Sequence, residues 1–367
     1  MKNVFSLFLF VLIEVVTSVT TAQRVKLPLQ PVVMDSVSLD DFFWYGEVSR
    51  AQKAFPELKP SLLRITAEKQ ATVEAWRKQW EEKVGDLDVR GFVRSEQSRG
   101  EARSAAAVAR ESYRLGMMTG EAQYFHVMER ALANSLGGWS QSADKKQART
   151  AAEVMTQLPG LIYATTEDHL YINMYIQGAV RLATDHLRLT MEVTTSSPWN
   201  CFALFRFLTQ GRKEHVTLHF RVPDWLGESR LPLYDFNSYR AKYPVAVNGT
   251  RVTPHIESGY IVIDEVLADS SFITIHFPTP IRRITPKNNP HEVAFQRGPL
   301  IYTLLDLPQQ AKLHLSDPVT SAIDKERFTN QLSGKRYDEA GEAEKFTAEP
   351  FVLNREQSGA RVWAPCE

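Results

Sequence analysis

The stretch Asp168-His169-Leu170-Tyr171-Ile172-Asn173-Met174-Tyr175-Ile176 is where the chain changes its period. Leu170, Ile172, Met174 and Ile176 alternate with Tyr171, Asn173 and Tyr175, a repeat of two that sets an apolar face against an amphipathic one and predicts a strand. The alternation returns in Leu187, Leu189, Met191 and Val193, and again in Val216, Leu218, Phe220 and Val222. Further short strands are expected at 245–247, 260–263, 272–277, 293–295 and 300–304, joined by the turn residues Pro223-Asp224, Asn248-Gly249, Glu257-Ser258-Gly259 and Arg297-Gly298-Pro299. No helix-sized segment separates them, which disfavours parallel crossovers and predicts an antiparallel β-sandwich over 166–305. Asn248-Gly249-Thr250 is formally a glycosylation acceptor, but a tight hairpin turn is the better reason for it.

Upstream of this stretch the repeat is helical. Val73, Trp76, Trp80 and Val84 share one face while Lys69, Glu74, Lys78 and Glu82 stay outside, and Gly85 stops the helix. A second helix is expected over 104–118 and a third after a Thr119 cap, with Tyr124, Val127, Met128, Ala131 and Leu132 buried. A fourth runs from Thr150 to Leu158 and ends at Pro159-Gly160. Residues 46–165 therefore form a helical region, preceded by an extended segment, 23–45, in which Pro28 and Pro31 resist helix and Phe42-Phe43-Trp44 supply anchors. Beyond 305 the signal weakens, and 306–367 reads as a weakly structured tail or a remnant β domain.

With 367 residues, 43% of them hydrophobic, the chain can bury more than one core. Lysine plus arginine equals aspartate plus glutamate at 43 each, so the broad positive field that nucleic acids or anionic membranes require is missing, and neither is expected as a partner. Lys2, the apolar run Phe5 to Ile13 and Thr20-Thr21-Ala22 before Gln23 read as a signal peptide over 1–22, too short to span a bilayer, which predicts a secreted or periplasmic protein. Cys201 and Cys366 are the only cysteines; export permits a disulfide between them, but they cannot supply a cysteine-rich metal site.

No phosphate loop, His-Glu-x-x-His pair or Gly-x-Ser-x-Gly elbow is present. His215 and His219 share a strand face roughly 13 Å apart, too far for one ion, and read as exposed sandwich histidines. Glu101, in a loop between two helices, is the candidate general acid/base. Such a glutamate must hold its proton near neutral pH through burial or a like charge, and Arg99 and Arg103 act against that. Trp44, Tyr171, Tyr175 and Trp199 are candidate sugar-stacking rings, although alternating strand aromatics often complete a core instead.

Several segments, in order, resemble glycoside hydrolase family 127, the β-L-arabinofuranosidase type. They are Asp41-Phe42-Phe43-Trp44, Gly100-Glu101, Ser112-Tyr113-Arg114-Leu115, Thr119 to Tyr124, Glu129 to Asn134 and Gln157 to Tyr163. Leu170 to Ile176, Pro198-Trp199, Arg221-Val222-Pro223-Asp224-Trp225, Val247-Asn248-Gly249, Gly259-Tyr260 and Gln296 to Tyr302 continue the series. The resemblance implies an (α/α)6 helical barrel followed by β-sandwich domains, and an exo-acting, retaining hydrolase of arabinofuranosides. It also implies a zinc-bound cysteine nucleophile, a neighbouring cysteine and a Glu-x-Cys pair completing the metal site, and a separate glutamate as acid/base.

The chain departs from that pattern at the metal. Glu101 falls at the acid/base position, but Arg103 and Ala105 stand at the metal-binding glutamate and cysteine, and Lys146 and Gln147 near the paired cysteines. With no thiolate and no zinc ligands, no cofactor is expected. The barrel is also incomplete: 46–165 holds four to six helices rather than twelve, and the first barrel half is largely missing between Ala54 and Leu63. The fold expected is multidomain α and β, a partial (α/α)6-type barrel followed by an antiparallel sandwich. Whether it is an enzyme is left open at this point. The function expected is a secreted carbohydrate-active protein with catalysis impaired or lost and arabinose-containing glycans as partners; a noncatalytic glycan-binding or structural remnant and a truncated product of a full glycosidase are the alternatives.

Overall fold

The structure, a computed structural model, describes residues 27–367 apart from 62–64, 140–143, 228–230, 240–241, 325–328, 356 and 358; residues 1–22, read from the sequence as a signal peptide, lie outside the described residues. Five α-helices are described: α1 Trp44–Ala54, α2 Gln70–Val84, α3 Glu101–Thr119, α4 Ala122–Ala131 and α5 Lys145–Met155. The extended reading up to residue 45 overruns the start of α1 at Trp44, because the Asp41 carboxylate accepts the Trp44 N–H at 2.5 Å and so satisfies a donor of the first turn. Trp44, Glu47, Val48 and Ala51 then fall on one buried face. In α5 the Asp144 side chain accepts from the Lys146 and Gln147 N–H groups and starts the helix before Thr150. The stripe of small residues on α3 lets α2, α4 and α5 pack against it, and at Gly116 even a methyl group would fall 2.6 Å from the Phe125 ring. A π-helical turn, Leu132–Leu136, extends α4.

Three sheets follow. The six-stranded sheet runs in the order Gln30–Pro31, Tyr163–Thr166, His169–Ile172, Glu214–Arg221, Tyr260–Leu267, His255–Glu257. The seven-stranded sheet runs Thr250–Val252, Val245–Val247, Phe272–Phe277, Asn200–Leu208, Arg188–Ser196, Gly178–Ala183, Val37–Leu39. Phe205 of the second meets Phe220 of the first with ring centroids 4.8 Å apart, so the two sheets share a core. The third sheet has eight strands and takes in Glu292–Arg297, Leu300–Leu305, Thr329–Tyr337 and Ala343–Pro350. Part of the stretch after 305, for which two readings stood, is thus paired strand.

Two local features differ from the sequence reading. His169–Ile172 pairs parallel with Glu214–Arg221, an exception in otherwise antiparallel sheets, because the intervening chain belongs to the other sheet. That strand also ends at Ile172, and residues 169–176 are all buried, so neither set of alternating side chains meets water. The Asn248-Gly249 turn is as expected, with φ of 49° and 81° at its two residues.

Gly178 is a point where the sheet tolerates no side chain. It has φ of 151°, and a Cβ there would fall 2.0 Å from the Ser38 carbonyl oxygen across the Val37–Leu39 pairing. Gly178→Ala is expected to cost about 1–3 kcal/mol, read as a lower midpoint in urea unfolding.

Candidate functional site

Glu101 opens α3, and the residue before it is glycine for a steric reason: Gly100 has φ of 109°, and a Cβ would lie 1.9 Å from the Gln147 amide nitrogen. Gln147 also accepts the Ala102 N–H at 2.9 Å, so this side chain, expected near the place of the family's paired cysteines, lies against the start of α3. The cations on Glu101 are not Arg99 and Arg103, which point to solvent. They come from distant sequence: Arg355 Nη1 donates to Glu101 Oε1 at 2.8 Å, and Arg90 Nη1 stands 3.8 Å from Oε2.

Arg355 is wedged into the helices. Its Nη2 donates to the carbonyls of Asn134, Ser135 and Gly137, closing the end of the π turn, and its guanidinium lies over the rings of Trp139 and Phe351 at 4.6 and 4.8 Å. The Glu101 carboxylate therefore has a guanidinium on each oxygen. A dication would have to enter against both. Arg103 is exposed and Ala105 is fully buried and apolar, so the residues at the metal positions do not fit zinc. Among the described residues, no group of three or more histidine, cysteine, aspartate or glutamate side chains is arranged to hold a metal ion.

Of the four stacking candidates, three present no open ring. Trp44, Tyr171 and Tyr175 are 1%, 2% and 2% exposed. Tyr171 is stacked on His219 at 4.0 Å, and the Tyr175 hydroxyl donates to the Arg221 carbonyl at 2.6 Å. Trp199 is half-buried, with Phe43 edge-on at 5.6 Å. Beside Phe43 in sequence, Phe42 is 99% exposed and Tyr45 is exposed, two rings that the sequence did not separate from their buried neighbours. Cys201 and Cys366 are buried free thiols, and burial pushes the Cys201 thiol up to about 12.

The histidine pair also divides. His215 is exposed, between Asp168 and Asp264 at 3.1 and 3.0 Å, but His219 is buried, 2.8 Å from His169, which corrects the reading of both as exposed. The strand partner and Tyr171 cover His219, information that the i, i+4 spacing does not hold.

A pocket of about 540 Å³ lies apart from Glu101, between α2, α4 and the Val222 to Gly227 turn. Trp80, Val84, Val127, Leu226, Tyr239 and Tyr243 give it apolar walls. Arg130 lines it too, donating to Asp224 at 2.9 Å, and His126 Nε2 meets the Val222 carbonyl at 2.8 Å. Burial works to raise the Asp224 carboxyl, but Arg130 and then His126 hold it below the usual range.

The model of the GH127 middle domain, β-L-arabinofuranosidase, matches residues 169–279. No curated protein sequence matches the chain. Among solved structures, a GH127 β-arabinofuranosidase is similar with a TM-score of 0.71 and 20% identity, over 88% of this chain and 59% of that one. A GH127 β-L-arabinofuranosidase from Geobacillus stearothermophilus T6 gives 0.68 and 18%, over 88% and 60%. A third, described as a glycoside hydrolase, gives 0.59 and 15%, over 72% and 52%. At these identities the likeness is one of fold, and the chain spans about three fifths of the length of the first two.

Proposed function

For a chain that carries the GH127 middle domain at 169–279 within a GH127-like fold, we propose a secreted carbohydrate-binding relative of the β-L-arabinofuranosidases in which hydrolysis is lost. The observation that carries the reading is the Arg355–Glu101 pair at 2.8 Å, with Arg90 on the second oxygen. A general acid must present its carboxyl to the leaving oxygen, and here Arg355 occupies one carboxylate oxygen while Arg90 faces the other. No thiolate stands at the four positions where the family has its metal and nucleophile ligands, so a double displacement has no attacking atom. A partial helical barrel leaves the site without the walls that hold a substrate in reactive geometry.

Contact with arabinose-containing glycans is assigned to Phe42, Tyr45 and Trp199, whose rings are at least partly open to solvent. The alternative of a truncated, poorly folding product is opposed by the helices themselves. Among the described residues, Tyr45 is the one large hydrophobic exposed on α1 to α5, so no long apolar face is bare.

The test is zinc content together with arabinose release from β-L-arabinofuranosides. Neither stoichiometric zinc nor release above buffer is expected, and Glu101→Gln should change nothing. Stoichiometric zinc with release that Glu101→Gln abolishes would overturn the reading. Phe42→Ala with Trp199→Ala is expected to weaken binding to immobilised arabinan fragments by about tenfold, roughly the worth of one aromatic contact.

A further inference from the structure

The seven-stranded sheet has one face without a cover. Along its central strands Val180, Leu182, Leu189, Met191, Phe205 and Phe207 point into the core and are buried. The residues that alternate with them point the other way and are all exposed or half-buried, so among the described residues no element packs over this side.

Three arginines gather on it. Thr190 pairs with Arg181 on one neighbouring strand and with Leu208 on the other. Arg188 is two residues along from Thr190, and Arg206 is two along from Leu208 and pairs with Phe272. Neighbouring strands lie ~4.8 Å apart and alternate residues ~6.8 Å apart along a strand, so all three arginines stand within about 9 Å of Thr190, Cα to Cα. All three are exposed, and among the described residues none forms an ion pair.

The neighbouring acids do not cancel them. Glu192, which pairs with Arg206 in the ladder, is the one carboxylate on the strands 178–183, 188–196, 200–208 and 272–277. At the rim Glu214 is 3.3 Å from Arg212, and Asp269 accepts from the Thr209, Gln210 and Gly211 N–H groups. Asp185 and Lys213, in the loops at that end, offset each other, so the patch stays net positive. Leu208, 42% exposed, and the half-buried Phe272 lie among the charges.

A flat surface with guanidiniums spaced over an apolar floor suits a stiff, extended polymer that repeats a carboxylate. Arginine pairs with carboxylates in bidentate geometry, and the C–H faces of sugar rings can rest on Leu208 and Phe272. Duplex nucleic acid calls for a broader positive field than a charge-balanced chain supplies. We propose that this face binds an acidic polysaccharide of the uronate type, Arg181, Arg188 and Arg206 meeting its carboxylates. The proposal rests on the carbohydrate-binding reading and adds a second glycan class, held by residues other than Phe42, Tyr45 and Trp199.

The experiment is calorimetric titration of the full chain with polygalacturonate, its methyl ester, arabinan fragments and phosphatidylglycerol vesicles. Polygalacturonate is expected to bind about tenfold or more tighter than the uncharged ester, with an advantage that shrinks as salt rises from about 0.01 M to about 0.15 M. Arg181→Ser with Arg206→Ser should weaken polygalacturonate binding by about tenfold, in line with two exposed ion pairs lost, and Glu192→Gln should tighten it. Both variants should keep the urea midpoint and the arabinan affinity of the unaltered protein, since exposed positions contribute little to stability. Equal binding of acid and ester, polygalacturonate binding that survives the double arginine variant, or binding of vesicles without polygalacturonate would each overturn the proposal. Loss of arabinan binding alone would instead count against Phe42, Tyr45 and Trp199.

Discussion

Glu129→Ala is expected to cost about 3–5 kcal/mol of folding stability, because it leaves a fully buried guanidinium without its counter-charge. Glu129 on α4 accepts from Arg221 Nη2 at 2.6 Å, with the two side chains 6% and 0% exposed. Burial pushes the Glu129 carboxyl up, against the pull of Arg221. The surroundings cannot take over. Arg221 Nε already donates to the Asn173 carbonyl at 2.5 Å, Asn173 Oδ1 accepts from the Tyr260 hydroxyl at 2.8 Å, and Arg221 Nη1 and Asn173 Nδ2 have no partner. The double variant Glu129→Leu with Arg221→Met should recover most of the loss, since removing both charges removes the uncompensated one. Urea unfolding of the three variants checks this; a single-variant loss under about 1 kcal/mol would mean that the pair does not fasten α4 to the sheet.

Acidification is expected to destabilise the protein through His219. Burial first, then the neighbouring His169, push His219 down from 6.5 to about 3. Its folded value lies below its unfolded one, so above about pH 6.5 both states are neutral and the residue exerts no pH-dependent effect. Between about pH 6.5 and 3 the unfolded chain takes the proton and the folded one does not, so stability falls as pH falls, by about 1.4 kcal/mol per unit and about 2.7 kcal/mol by pH 4.5. Carboxylates held low in the fold, such as Asp269 with its three backbone N–H donors, add to the acid loss. The difference between the unaltered chain and His219→Gln isolates the histidine: the variant's stability against pH should be shallower by one proton over that range. Parallel curves would show that His219 is protonated in the fold.

Much of the architecture was legible because it rests on local pattern. The period-two runs became strands, and Asn248-Gly249 became the turn, since both depend on near neighbours. What the sequence hid depends on partners far along the chain. Arg355 reaches Glu101 across 254 positions, and no spacing rule connects a C-terminal arginine with a helix start. Exposure was hidden for the same reason. Phe42 and Trp44 are two residues apart in one aromatic cluster, yet one is 99% exposed and the other 1%, because helix α1 turns only Trp44 inward. Tyr171 and Tyr175 looked like the open face of a strand until the covering elements were in place.

The helices leave the strands and return to them at almost one point. Pro31 pairs with Ala164, Leu39 pairs with Gly178, and the Asp40 N–H donates to the Gln177 carbonyl at 2.9 Å. Everything from 41 to 162 is thus a cassette spliced into a seam whose two lips are already stitched together. Lengthening or shortening a closed excursion of that kind changes its closure entropy only logarithmically, by about 0.6 kcal/mol per doubling. Lineages could gain or lose whole hairpins of helix there while the strand ladders keep their register, which makes the seam the natural place to graft a foreign insert.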